Sequence, residues 1–439
     1  MTFDMLIKNG QCVIDEKIEK CNLYIKDGRI SKISSKTSED AREVINAKGL
    51  YVLPGVIDSQ VHFREPGLTH KEDIWHGSRA ALLGGVTTFL EMPNTNPPTT
   101  SDQTIAQKVK IASEKSHANF GFFMGADGSN LEFLVNCRKL PGCCGVKIFL
   151  GSSTGSLLLY QKEKLQEIFS KVSAPIAIHS EDEELLRKRM DIHLQGKTAH
   201  DHLKWRNKDT ALSSTIKVLD IARKEGKKLH ILHISTKDEI SYLASNKDIC
   251  TVEVTPQHLS LHAPDCYDQL GTYSQMNPPI RDLSHQRGLW GGIDSGVVDV
   301  IGSDHAAHTK EEKDKGYPGT PSGMPGVQTL LPVMLDHVHK KRLSLTKLVR
   351  LICKNPAKLY GLKGKGELKE GADADITIVD LNKKHVIRNQ DMASKCGWTP
   401  FDSWEVTGMP EMVVMAGVVV MKEGGIIGDP KGKPIEVFN

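Results

Sequence analysis

Side chains suited to one chemical task stand at the ends of five separate apolar runs in this 439-residue sequence. LPGVIDSQVH closes on Asp58, Gln60 and His62, and GVKIFLG carries Lys147. APIAIHSE carries His179, LHILHIS carries His233, and VVDVIGSDH closes on Asp304. Imidazole and carboxylate together suit zinc or a similar first-row divalent ion, and an open coordination position makes such a site catalytic. Gln60 and His62 are two apart, so on a strand both point to one side. His230 and His233 differ by an odd offset and would face opposite ways on a regular strand. A lysine ammonium buried among cations is disfavoured by desolvation and by like charge. Two escapes are open to Lys147: a neutral amine, or a carbamate formed with carbon dioxide, an anion able to bridge two metals. A lone strand-end histidine is more often structural. Five such residues in register are not explained that way.

Those ends must be brought together by the elements beneath them. Eight short apolar runs recur along the middle of the chain, from LPGVIDSQVH through GVTTFLEMP, ANFGFFMGA, GVKIFLG, APIAIHSE, LHILHIS and ICTVEVTP to VVDVIGSDH. Helix-like stretches such as DTALSSTIKVLDIARKEGKK separate them. That alternation predicts a parallel sheet, and eight repeats predict an α/β fold closed as a (β/α)8 TIM barrel. The C-terminal strand ends of such a barrel converge on one face. An open doubly wound sheet is the alternative, but no Gly-rich dinucleotide loop follows the first strand. Residues 1–53 read as a strand meander with Asn-Gly and Asp-Gly turns, and residues 366–439 repeat that character. Neither segment holds enough strands for a stable sheet. Both termini are therefore expected to build one small β-domain beside a catalytic barrel over 54–365.

With 57 basic and 54 acidic residues, the formal net charge is +3. This near-balance gives no reason to expect nucleic acid or an anionic membrane as partner. No apolar run reaches the ~18 residues of a membrane span, and the start MTFDMLIKNGQ lacks the segments of a signal peptide. Nine cysteines, an odd number without CxxC spacing and including the adjacent Cys143 and Cys144, read as reduced thiols of a cytoplasmic protein.

The strings DSQVHFREPG, GGVTTFLEMPNTNPPT, GVKIFLGSSTG, AIHSED, LHILHIST, VEVTPQHL, MNPPIR and IGSDHAAHT occur in that order, followed by NPAKLYGL, KGELKEGADADITIVD and GWTPFDSW. As a set they resemble the dihydroorotase branch of the amidohydrolase superfamily, over essentially the whole chain. The resemblance implies a metal-bearing barrel with a small β-domain from both termini. It also implies one or two zinc ions per chain held by His62, Lys147 as a carbamate, His179, His233 and Asp304, with Asp304 as the catalytic base and acid. Of the two histidines in LHILHIST it selects His233 and leaves His230 structural. One departure bears on the metal: the family carries histidine where this chain has Gln60, and an amide is the weaker ligand. A second is Gln257 in TPQHL, where a histidine is usual.

The implied reaction is the reversible hydrolysis of L-dihydroorotate to N-carbamoyl-L-aspartate, in pyrimidine biosynthesis. Arg64 would offer its planar fork to the substrate carboxylate. Asn94 and His308 would add anchors, and Asn277 would read the amide edge of the ring. The Gly/Pro-rich segment SDHAAHTKEEKDKGYPGTPSGMPG reads as a loop over the mouth, with Gly323 presenting backbone to the small-molecule substrate. A homodimer is the family expectation, and aspartate transcarbamoylase a possible partner. Two rival readings remain: an allantoinase- or hydantoinase-type enzyme, and an inactive subunit that scaffolds a transcarbamoylase.

Overall fold

The computed structural model describes residues 2–36, 40–152 and 156–438; the end of the GVKIFLGSSTG motif lies outside them. The chain opens with β1 (Phe3–Ile14), β2 (Lys17–Lys26), β3 (Arg29–Ser34), β4 (Ala41–Asn46) and β5 (Tyr51–Pro54). Eight barrel positions follow: β6 (Val56–His62), β7 (Val86–Glu91), β8 (Asn119–Gly125), β9 (Cys143–Phe149), β10 (Ile176–His179), β11 (Leu229–Ile231), β12 (Cys250–Val254) and a split last strand. That last strand is β13 (Val300–Ile301), which pairs with β12, and β14 (His305–Ala306), which pairs with β6 and closes the barrel. All pairings around the ring are parallel. The eight apolar runs are these strands.

The crossovers are helices with identifiable starts. Asn207 caps Lys208–Lys224 through the Thr210 amide, and Ser101 forms a capping box at Asp102–Lys115. Their apolar faces, with Leu219, Ala222 and Ile105 among them, pack on strand residues such as Val146, Ile178 and Ile231 in one buried cluster. The strands are buried along their whole length, as a parallel barrel covered by helices requires.

β15 (Ile376–Val386), β16 (Glu405–Met415), β17 (Val418–Lys422) and β18 (Gly425–Ile426) complete a second sheet in the order β18-β17-β16-β15-β5-β1-β2-β3, with β4 on β1. The join between the termini is the antiparallel pairing of β15 with β5. Residues 366–439 are not confined to this sheet. Between β15 and β16 the chain passes over the barrel, where buried Trp398 donates from Nε1 to the His308 carbonyl at 2.8 Å. After β18 it returns to the barrel, and the Ile435 amide bonds the Phe120 carbonyl at 2.9 Å. Apolar Phe401, Trp398 and Ile435 find burial there that a lone sheet could not supply.

All nine cysteines are buried and free. No helix among the described residues is long and apolar enough to cross a membrane.

Candidate active site

At the C-terminal ends of the barrel strands one cavity is lined by Gln60, His62, Lys147, His179, His233 and Asp304, together with Arg64, Asn94, Asn277 and Gly323. Ten of the eleven candidate metal-ligand and substrate residues thus meet. The eleventh, His308, is fully buried behind Arg64. Three of the lining residues hold positive φ without being glycine: Arg64 at 62°, His233 at 38° and Asp304 at 45°. Such conformations cost energy and persist only where surroundings enforce them. Here each turns a side chain at the point where its strand ends.

The tautomers follow from the partners. His179 Nε2 donates to Glu181 Oε2 at 3.0 Å, which leaves Nδ1 bare and 3.1 Å from His233 Nε2. Glu181 is itself paired with buried Arg206, and a carboxylate that orients a histidine in this way is a usual support for metal ligands. His62 Nδ1 lies 2.7 Å from Asn94 Oδ1, so a proton there leaves Nε2 bare and facing Asp304 Oδ1 at 3.3 Å. Burial pushes the His62 imidazole down to about 4 and holds His179 and His233 below the ordinary value. All three are neutral near pH 7, with lone pairs available. Lys147 Nζ is buried with no hydrogen-bond partner, and burial pushes it down to about 7, so a reactive neutral amine is accessible. Ring nitrogens converging on each other and on a carboxylate, beside an unpartnered amine, form a donor set that fits a divalent cation once the proton shared by His179 and His233 moves to His233 Nδ1. The spacing of His179 and His233 lets both reach one ion at the usual ~2.0–2.1 Å.

Gln60 behaves differently. Its Nε2 donates to Asp304 Oδ1 at 2.9 Å, and its Oε1 has no partner. Asp58, on the same strand, lies deeper: Oδ1 accepts from the Ser303 amide at 2.9 Å, and burial raises the carboxyl to about 7.

At the other end Arg64 donates from Nε to the Ala307 carbonyl at 3.2 Å, its Nη2 lies 3.3 Å from His308 Nε2, and its buried Nη1 has no partner. Burial lowers the guanidinium to about 10, which leaves it charged at neutral pH. Asn277 Oδ1 is likewise unpartnered. A Cβ on Gly323, where φ is 149°, would lie 2.6 Å from the Ala306 carbonyl oxygen, so no side chain fits there.

The two competing histidines separate as their offset predicts. His230 faces away, its Nδ1 2.8 Å from Thr251 Oγ1, while His233 reaches the cavity. Gln257 lies outside the cavity and donates to the Ser303 carbonyl at 2.8 Å. Sequence reasoning missed Glu181 and Arg206. Glu181 stood two residues past His179 in APIAIHSE, an offset that could have marked it; Arg206 carried no local signal. A separate group, Glu72, Asp73 and His76, also has mutually close ligand atoms. Its carboxylates are taken up by protein donors: Glu72 accepts from Ser394 and the Lys395 amide, and Asp73 caps a helix through the His76 amide.

Residues 51–420 match the model of the amidohydrolase family. The chain is 37% identical to a dihydroorotase of Methanosarcina acetivorans, with 97% of this chain and 94% of that protein covered. It is 35% identical to a dihydroorotase of Pyrococcus abyssi, with 98% of each covered. Among solved structures, an L-hydantoinase (dihydropyrimidinase) from Arthrobacter aurescens superposes with a TM-score of 0.95 at 29% identity, covering 99% of this chain and all of that one. The chain belongs to the amidohydrolase family and, within it, to the branch of the dihydroorotases and hydantoinases.

Proposed function

We propose that this enzyme is a dihydroorotase, opening L-dihydroorotate to N-carbamoyl-L-aspartate and closing it again in pyrimidine biosynthesis. The observation that carries the reading is Arg64: a buried guanidinium with one free nitrogen, lining the same cavity as the convergent imidazoles. The carboxylate is what sets dihydroorotate apart from hydantoins, dihydropyrimidines and allantoin, and a planar fork matches it. The full-length likeness to proteins named dihydroorotases supports the same choice.

His62, Lys147 as a carbamate, His179, His233 and Asp304 would hold one or two zinc-like ions, with Gln60 Oε1 as a further, weaker donor. Such an ion supplies an acidified water and polarises the amide carbonyl. Asp304 takes the proton of the attacking water and delivers it to the departing ring nitrogen; in ring closure the proton runs back along that path. Arg64 orients the carboxylate, Asn94 holds His62 and closes the wall beside it, and Asn277 and the Gly323 backbone face the ring amide. His308 acts on the carboxylate through Arg64.

The reading carries with it a cytoplasmic enzyme, which nine free buried cysteines suit. It also carries a homodimer and aspartate transcarbamoylase as a partner to be tested. The test is ring opening of L-dihydroorotate beside hydantoin, dihydrouracil and allantoin, with metal content measured on the same protein. Preference for a ring lacking the carboxylate would replace this reading by a hydantoinase. No turnover of any ring in metal-loaded protein would leave the scaffold.

A further inference from the structure

Two charged side chains at the mouth take no part in that chemistry, yet their placement is costly. They sit on the one-turn helix Lys310–Lys313, which follows Thr309. Lys313 is fully buried. Its Nζ donates to three carbonyls, Pro321 at 2.9 Å, Gly323 at 3.2 Å and Gln275 at 3.4 Å. Among the described residues no carboxylate pairs with it. Burying an ammonium without a counter-charge is expensive, and burial lowers this one to about 7. Lysine is the side chain that brings three donors and no acceptor. Those donors tie together two stretches of chain: residue 275, two before Asn277, and residues 321–323, which end on Gly323. The Gly323 amide closes the same knot on the Gln275 carbonyl at 2.9 Å.

Glu312 works on the opposite side. Its Oε1 pairs with Lys71 Nζ at 2.9 Å, and its Oε2 lies 3.5 Å from His308 Nδ1. Lys71 Nζ reaches that same Nδ1 at 3.2 Å. Burial keeps the His308 ring neutral, so it has one donor and one acceptor. Donation from Lys71 to Nδ1 puts the ring proton on Nε2, which then bonds the Ser322 carbonyl at 3.1 Å. In that tautomer His308 does not accept from Arg64, and Arg64 Nη1 and Nη2 are both free for an anion.

We propose that Glu312, Lys71 and Lys313 are positioning residues that set the substrate end of the cavity, the first two by fixing the His308 tautomer beside Arg64 and the third by locking the Asn277 and Gly323 segments together. The inference rests on the reading that this end receives a carboxylate-bearing ring.

The experiment compares Lys313→Met, Glu312→Gln, Lys71→Met and Lys71→Gln with the natural enzyme, following dihydroorotate kinetics, metal content and thermal midpoint. KM should rise tenfold or more in Lys313→Met and Lys71→Met, with kcat within about threefold and metal content unchanged. Lys71→Gln, whose amide can still donate to His308, should recover most of the loss, and Glu312→Gln should fall between. A merely structural role would lower the thermal midpoint and leave the KM of the folded protein where it was; that result overturns the proposal. Should Lys313→Met fail to fold, Glu312→Gln, on a partly exposed side chain, and the Lys71 pair decide the matter. Natural enzyme inactive on dihydroorotate would sink the functional reading and this one with it, whereas active natural enzyme with unmoved KM in every variant sinks this one alone.

Discussion

The two halves of the cavity floor are built from similar residues and finished differently. On one side His179 and His233 face each other through ring nitrogens 3.1 Å apart, and His179 is turned by Glu181. The two nitrogens share one ring proton, and its shift to His233 Nδ1, which has no partner, opens both lone pairs. On the other side the Asp304 carboxylate already accepts the Gln60 amide at 2.9 Å and stands 3.3 Å from His62 Nε2. A cation on the first side meets ready donors. On the second it must break the Gln60–Asp304 hydrogen bond and take a weaker amide oxygen in place of an imidazole. The lesson is that a polar cluster can be closed internally and still line an active site. Affinity then follows from what the donors do in the protein alone.

Lys147 lines the cavity with both halves, so its loss should have the largest effect. Lys147→Ala should lose metal and activity together, by more than the ~100-fold that removal of a supporting group costs. Short-chain carboxylic acids should restore part of both, because the missing piece is a small carboxylate. Metal analysis with and without added acid checks this. Full metal content in the variant would take Lys147 out of the ligand set.

The substrate end should respond without the metal end. Arg64→Lys keeps the charge and loses the fork, at a cost of about 2–3 kcal/mol for a charge-assisted bidentate contact. That is roughly 30- to 150-fold in KM, with metal content unchanged. Near-normal kinetics would place the carboxylate anchor elsewhere. On the metal side, Glu181→Gln should weaken the His179/His233 half by roughly 10- to 100-fold in affinity, the usual cost of losing such a support. Titration with zinc under a competing chelator measures it, and an unchanged affinity would make Glu181 a structural partner of Arg206 only.

Why some of this was legible in sequence and some was not follows from distance along the chain. Each strand announces itself locally, by an apolar run that ends in a polar residue, and barrel closure then forces those ends together. That sufficed for His62, Lys147, His179, His233 and Asp304 to meet, and the two-residue spacing placed Gln60 with His62. The backbone turns at Arg64, His233 and Asp304 left no mark in composition, since non-glycine residues hold them. Arg206 reaches Glu181 across 25 positions. The Gln60–Asp304 bond spans 244, as does the contact that puts His308 behind Arg64. Pairings of that kind depend on the closed fold. The excursion of residues 387–404 over the barrel was hidden for the same reason: Trp398 reads as apolar, but only the fold says which wall it completes.

Imidazoles that face the cavity can be set against those that hold its wall. His202 Nε2 lies 2.9 Å from the Met276 carbonyl, and His258 Nε2 lies 3.0 Å from the Pro278 carbonyl, on either side of Asn277. Both are fully buried, and burial pushes His202 down to about 3 and His258 to about 4. In the unfolded chain they take up a proton near pH 6.5; in the fold they resist it until far lower pH. The unfolded state therefore binds more protons over that window, and stability falls as pH drops below about 6.5. Each contributes on the order of 1.4 kcal/mol per pH unit until its folded value is reached. Unfolding free energies from urea titrations at pH 7.5 and 5.5 should differ by at least the pair's share of about 3 kcal/mol. The buried imidazoles of His62, His308 and His337 act in the same direction. A flat profile would mean that the wall is protonated in the fold.

Gln60→His is the smallest change and the sharpest probe of the difference between the halves. We expect the natural protein to retain close to one tightly held zinc-like ion after purification, in the His179/His233 half, with the Gln60/His62/Asp304 half weak. The substitution removes the amide donor that occupies Asp304 Oδ1 and supplies an imidazole on the same side of the strand as His62. Metal content should rise toward two per chain, and added zinc should no longer be needed to saturate the protein. Activity should change by only a few fold, because one ion can both acidify water and polarise a carbonyl. The decisive measurement is therefore stoichiometry, by elemental analysis after dialysis against a chelator. Two equally tight ions in the natural protein, unchanged in Gln60→His, would show that Gln60 turns its free Oε1 to the metal and that the two halves are equal after all.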